Sequence, residues 1–126
     1  MASLLGRIYI AGPMTGWKLF NWPYFEHTAR VLRRMGWDVI TPTEIDEECG
    51  MVYATRDEHG NILDVQTTDL FDYEEILQRD FAAVRTCTHI LLHPDWHHSQ
   101  GARRELVVAI ENGLEVVLYK EVFTDA

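Results

Sequence analysis

The feature that most constrains this chain is the alternation of short apolar runs with segments of helical period. Ile8, Tyr9, Ile10 and Ala11 form a continuous apolar run, as a buried strand requires. Residues 22–35 place Phe25, Ala29, Leu32 and Met35 on one helical face, and Gly36 stands where a helix stops. WDVITP reads as a second strand, ended by Pro42. Residues 72–86 return to helical spacing through Ile76, Leu77, Phe81 and Val84, and HILLHP is a third strand. Residues 100–112 form a further helix with Gly113 as its stop, and LEVVLY is a fourth strand. Between the second strand and the next helix, residues 44–68 are irregular. Two extended runs around DEHGN predict a β-hairpin, a flap over about 46–70.

Strands alternating with helices predict an α/β fold: a three-layer sandwich whose mainly parallel central sheet is covered on both faces. At 126 residues, with 47% hydrophobic composition, the chain is expected to form one domain, residues 1–126. Ligands of such sheets bind beyond the carboxyl ends of the strands. The loops expected there are 12–21, 41–46 and 94–99. The first belongs to RIYIAGPMTG, a strand that runs into Gly12, Pro13 and Gly16. A loop with so few large side chains lets a ligand approach the backbone.

Charge narrows the partners. Twenty acidic and eleven basic residues give a net charge of −9, which argues against a nucleic-acid surface. A small anion held by backbone amides and a hydroxyl remains compatible. Cys49 and Cys87 make no disulfide framework, so a reducing cytoplasm is the expected setting. The opening MASLLGRIYIAGP has no charged region before its apolar stretch, so neither a signal peptide nor a membrane span is expected.

Several side chains have a bland and a chemical reading. Ser99 precedes a helix and can cap its amides. It can also join the amides of Gly101 and Ala102 in holding an anion. Glu105 lies one and a half turns into that helix beside Arg103 and Arg104, either on a charged face or turned inward. Leu106, Val107, Ala109 and Ile110 make much of this helix apolar, which leaves little face for solvent. Asp80 follows Arg79 and precedes Phe81-Ala82-Ala83-Val84 within a helix, where aspartate is a mediocre former. A surface ion pair and an inward carboxylate both fit. His89, His93, His97 and His98 cluster, but no Cys or Asp completes a familiar zinc spacing, and no metal is expected. The chain has no GxGxxG, GxxxxGK[ST] or GxSxG.

Three pieces together carry a resemblance: Tyr9 in IYIAGPMTG, Asp80 in LQRDFAAVRTCTHILL, and Ser99 to Glu105 in SQGARRE. With Asn21-Trp22-Pro23-Tyr24-Phe25 and Trp96-x-x-Ser99-x-Gly101-Ala102-x-x-Glu105, the set resembles the nucleoside 2-deoxyribosyltransferase superfamily. It is most similar to small uncharacterised phage and bacterial proteins assigned there. The resemblance covers nearly the whole chain outside the flap.

The resemblance implies a Rossmann- or flavodoxin-like sheet and chemistry at an N-glycosidic bond. Glu105 would be the nucleophile at the anomeric carbon, Tyr9 its orienting group, and Asp80 the proton donor to the departing base. Gly12, Pro13, Met14, Thr15, Gly16, Asn21, Trp96, Ser99 and Gly101 would line the substrate site. Serine at position 99 favours hydrolysis of a (deoxy)nucleoside 5′-monophosphate to free base and sugar phosphate. Known nucleotide hydrolases of the superfamily are arginine-bearing and richer in serine and glycine in the first loop, whereas Pro13, Met14 and Thr15 stand here, with Lys18 nearby. Trp17, Phe20, Trp22 and Trp96 could stack on a base, or simply pack the first helix against the sheet, the reading favoured for Trp22 and Phe25. No cofactor is implied. A homo-oligomer is implied, with EVFTDA and the aromatic residues around Trp22 as contacts. Deoxyribosyl transfer, a nucleotide-binding module without turnover, and cleavage of a dinucleotide's nicotinamide bond remain alternatives.

Overall fold

In the computed structural model, which describes residues 5–123, four strands form one parallel sheet. They are β1 (Arg7–Ala11), β2 (Asp38–Ile40), β5 (His89–Leu92) and β6 (Glu115–Leu118), ordered β2-β1-β5-β6. The register sets Tyr9 opposite Ile40 on one side and Ile90 on the other. β3 (Val52–Arg56) and β4 (Ile62–Thr67) form a separate antiparallel hairpin. The helices are α1 (Trp22–Arg34), α2 (Pro42–Glu48), α3 (Tyr73–Val84), α4 (Gln100–Glu111) and the short α5 (Tyr119–Val122).

Alternation along β1 divides the core into two layers. Ile8 and Ile10 face α1, where they pack with Phe25, Ala29 and Leu32. Tyr9 and Ala11 face the opposite layer, with Val84 of α3 and Ala102 and Ala109 of α4. Sheet order and alternation together give the expected three-layer α/β sandwich. β2 and β5 flank β1, so successive connections leave it in opposite directions. Their carboxyl ends therefore frame a crevice beside Ala11 and Leu92.

Local chemistry explains the element ends. Gly36 (φ +105°) and Gly113 (φ +74°) adopt the left-handed turn that closes α1 and α4, as their positions predict. Asp72 caps α3 by accepting from the Glu75 amide at 3.1 Å.

One expected loop is a helix. Pro42 ends β2 but also opens α2, because proline suits a first helical position. Thr41 caps that helix by accepting from the Glu44 amide at 3.1 Å. Residues 46–48 therefore belong to α2 rather than to the flap, and the hairpin proper turns at 57–61.

The hairpin is bound to the body by its own apolar cluster of Trp22, Met51, Val52, Val65 and Ile76. Trp22 thus packs beneath the hairpin, not against the parallel sheet as expected, while Phe25 does meet the sheet. Arg56 reinforces the attachment by donating to Glu26 of α1 at 3.0 Å. On α4 the expectation of little solvent face fails. Val107 and Ile110 are 54% and 62% exposed, because the inward stripe is made of Ala102, Glu105 and Ala109 instead. Among the described residues, no helix is long and apolar enough to cross a membrane.

Candidate active site

Three carboxyls, Asp46, Asp80 and Glu105, are buried to 3–4% exposure, and no lysine or arginine among the described residues is buried with them. Each arrives by helical spacing. Asp80 shares the inner stripe of α3 with Ile76, Leu77 and Val84. Arg79, its neighbour, points outward and pairs with Glu75, so no surface ion pair claims Asp80. Glu105 lies between Ala102 and Ala109, whose small side chains bring α4 close to β1. Arg104 turns away to pair with Glu74 at 3.1 Å.

The fully buried Tyr9 hydroxyl donates a hydrogen bond to Oε2 of Glu105. Burial raises the Glu105 carboxyl, and the bonds from Tyr9 and Asp80 oppose that rise. Burial and the charge of Glu105 push Asp80 well above the usual carboxylate range. Both carboxyls are raised, Asp80 further than Glu105, so of the pair Asp80 holds its proton longer and Glu105, bonded by Tyr9, ionises first. Burial and the surrounding carboxylates raise the Tyr9 phenol as well, so it stays a donor.

Asp46 is the residue that the sequence reading missed. It sits on α2, burial pushes it up to about 7, and Oδ1 has no hydrogen-bond partner. Its charge contributes to raising both Asp80 and Glu105. PTEIDEE reads as an acidic, solvated stretch. The available signal was Thr41-Pro42, a cap and first-turn pair announcing a helix whose fifth residue is Asp46.

A cavity of about 80 Å³ is lined by Met14 and Thr15 of the first loop and by Trp22, Asp46 and Tyr73, so that Asp46 is the one of the three carboxyls in its wall. A larger cleft of about 620 Å³ lies between α1, α2 and the hairpin. It contains none of the buried carboxyls, and Arg33 and Arg56 on its walls are already paired with Glu44 and Glu26. The smaller cavity, by contrast, has the buried Asp46 in its wall.

The first loop is fixed from within. Asn21 is buried, and its Nδ2 donates to the Pro13 carbonyl at 2.9 Å. Its side chain braces the loop. Leu19, Phe20 and Asn21 all take left-handed backbone angles (φ 51–61°), a costly run for residues with side chains. Gly12 is needed for packing, since a Cβ there would meet His93 Cβ at 2.9 Å and Tyr24 Cε2 at 3.2 Å. Pro13 is buried, and Gly16 turns at φ +84° in open space.

At the α4 start, Ser99 Oγ accepts from the Ala102 amide at 3.1 Å. The Ala102 amide is thus committed to the cap. The hydroxyl hydrogen of Ser99 and the first-turn amides of Gln100 and Gly101 are the donors left for a ligand. Trp96 is partly buried against the Tyr9 layer, so the structure seats it in packing. Among the described residues, no group of three or more His, Cys, Asp or Glu side chains is arranged to hold a metal.

Residues 6–118 match the family described as "Domain of unknown function (DUF4406)". The chain belongs to this family. No curated protein matches it. In this DUF4406 member the match begins just before β1 and ends with β6, so it spans Tyr9, Asp46, Asp80 and Glu105 together.

Proposed function

We propose that this protein cleaves an N-glycosidic bond, hydrolysing a (deoxy)nucleoside 5′-monophosphate to free base and sugar phosphate. The observation that carries the reading is the buried Tyr9–Glu105 hydrogen bond with Asp80 alongside. It sets side by side two carboxyls of which Glu105 ionises first and Asp80 keeps its proton longer, the order that the division of labour in glycoside cleavage uses. The resemblance to the nucleoside 2-deoxyribosyltransferase superfamily supports the same roles.

In the proposed reaction the Glu105 carboxylate attacks the anomeric carbon. A C–O bond forms as the C–N bond breaks, and the Asp80 proton passes to the departing base nitrogen. The electron pair of the broken bond leaves with the base. Asp80, now ionised, takes a proton from water as that water displaces Glu105 from the anomeric carbon. Glu105 and the protonated Asp80 are thereby restored. Tyr9 holds Glu105 in one orientation throughout. The Ser99 hydroxyl and the Gln100 and Gly101 amides receive the 5′-phosphate at the positive end of α4. A reducing cytoplasm suits the two free cysteines.

We also propose a homo-oligomer. Exposed Val107, Ile110 and Val116 on α4 and β6 support it. Of the contacts expected from sequence, Trp22 is buried within the subunit, and residues 124–126 lie outside the described residues.

The test is incubation with a panel of nucleosides and nucleoside 5′-monophosphates, following free base by chromatography. Base release from a monophosphate that is lost in Glu105→Ala supports hydrolysis. Release only when an acceptor base is added points to transfer. Tight binding without release points to a binding module.

A further inference from the structure

Two residues of the smaller cavity's lining carry a buried polar atom without a hydrogen-bond partner. One is Oδ1 of Asp46 and the other is Nε1 of Trp22, and both residues line the cavity. An unpartnered buried polar atom costs free energy unless something satisfies it, so both ask for a ligand or water. No side-chain partner within the protein bonds the carboxyl of Asp46 among the described residues. A carboxylate with free oxygens accepts two parallel N–H bonds.

The rest of the cavity lining is largely apolar and aromatic. Val52 and Ile76 give it apolar walls. Phe20, Phe71 and Tyr73 also line it, yet remain 36%, 44% and 42% exposed. Rings that are both part of a cavity and open to solvent suit a flat heterocycle sliding between them. The volume of about 80 Å³ has room for several waters, and thus for a ring edge that displaces them.

We propose that Asp46 is the specificity-determining residue of this site, and that with Trp22 it selects a base carrying a carbonyl beside two N–H donors, as guanine does. The Asp46 carboxylate accepts from the ring N–H and the exocyclic amino group. Trp22 Nε1 donates to the carbonyl oxygen. The donor-acceptor order of adenine, cytosine and thymine does not match this set. The inference rests on the N-glycosidase reading for its placement of the base, but its test does not.

Guanosine, inosine, adenosine and cytidine are titrated into the wild-type protein and Asp46→Asn by calorimetry. The expected result is binding of guanosine about tenfold or more tighter than adenosine. In Asp46→Asn, guanosine weakens by about the same factor while adenosine is unchanged. Inosine, lacking the amino group, falls between them in the wild type. Trp22→Phe keeps an aromatic ring, smaller than the indole, and removes the donor. It weakens guanosine and inosine together, a second reading should Asp46→Asn misfold. No preference for guanosine in the wild type, or the same preference in Asp46→Asn, overturns the proposal. Base release that depends on Glu105 but favours another base also overturns it, leaving the glycosidase reading intact. Preferential guanosine binding lost in Asp46→Asn, without base release from any monophosphate, upholds the proposal and removes the glycosidase.

Discussion

The Tyr9 hydroxyl on β1 donates to the Glu105 carboxylate on α4, joining residues 96 positions apart in a fully buried contact. It favours ionisation of Glu105 against the burial that opposes it. Tyr9→Phe removes that donor while keeping the ring that packs against Ala102 and Ala109. A charge-assisted bond of this kind contributes about 1.5–3 kcal/mol. The kcat for base release is expected to fall by about 10- to 100-fold, with the fold retained by circular dichroism.

Asp80→Asn removes the proposed proton donor and leaves the volume. A positioned acid contributes about 10²–10⁴-fold, so base release falls by that order for ordinary bases. The loss shrinks for substrates whose base leaves readily without a proton. In the wild type, activity disappears as pH rises through the raised Asp80 range, because the acid must hold its proton. The alkaline limb should be absent from the Asp80→Asn profile. The apparent values of the remaining profile belong to the carboxyl pair as a unit.

Asp46 makes stability depend on pH. Burial lifts its carboxyl from 3.8 to about 7. The folded chain therefore keeps a proton that the unfolded chain releases above 3.8. Stability is lost as pH climbs from there to about 7 and is level above it. The Asp46 contribution over this window is on the order of 4 kcal/mol. Asp46→Asn should be more stable than the wild type in urea at pH of about 8, with the gap closing at about 4.5. An equal gap at both pH values would contradict the burial account.

Gly12→Ala tests the packing reading of the first loop. Its Cβ would press on His93 Cβ and on Tyr24, both held in a ring cluster with Trp17. Overpacking of this kind costs about 1–3 kcal/mol. A lowered urea midpoint is expected, and an unchanged one would mean the loop simply moves aside.

The parallel sheet was legible because continuous apolar strands and 3.6-residue periods are local signals. Gly36 and Gly113 stop α1 and α4 where the sequence places their ends. The inward direction of Asp80 and Glu105 was half legible. Each lies on the apolar stripe of its own helix, but only the fold shows that the two stripes meet over Tyr9. Asp46 stayed hidden because α2 is seven residues long and mostly acidic, too short for a period to emerge. The left-handed run at Leu19, Phe20 and Asn21 was invisible for a different reason. Such residues disfavour that geometry, and tertiary contacts such as Asn21 with Pro13 impose it.

The most direct test of the central claim is a search for the covalent sugar on Glu105. The wild-type protein, mixed with the monophosphate that the panel identifies as its substrate and quenched in acid during turnover, is measured by intact mass and peptide fragmentation. The account predicts a sugar-phosphate adduct on Glu105, with neither adduct nor base release in Glu105→Gln. Base release at the wild-type rate in Glu105→Gln, or an adduct on any other residue, would contradict it.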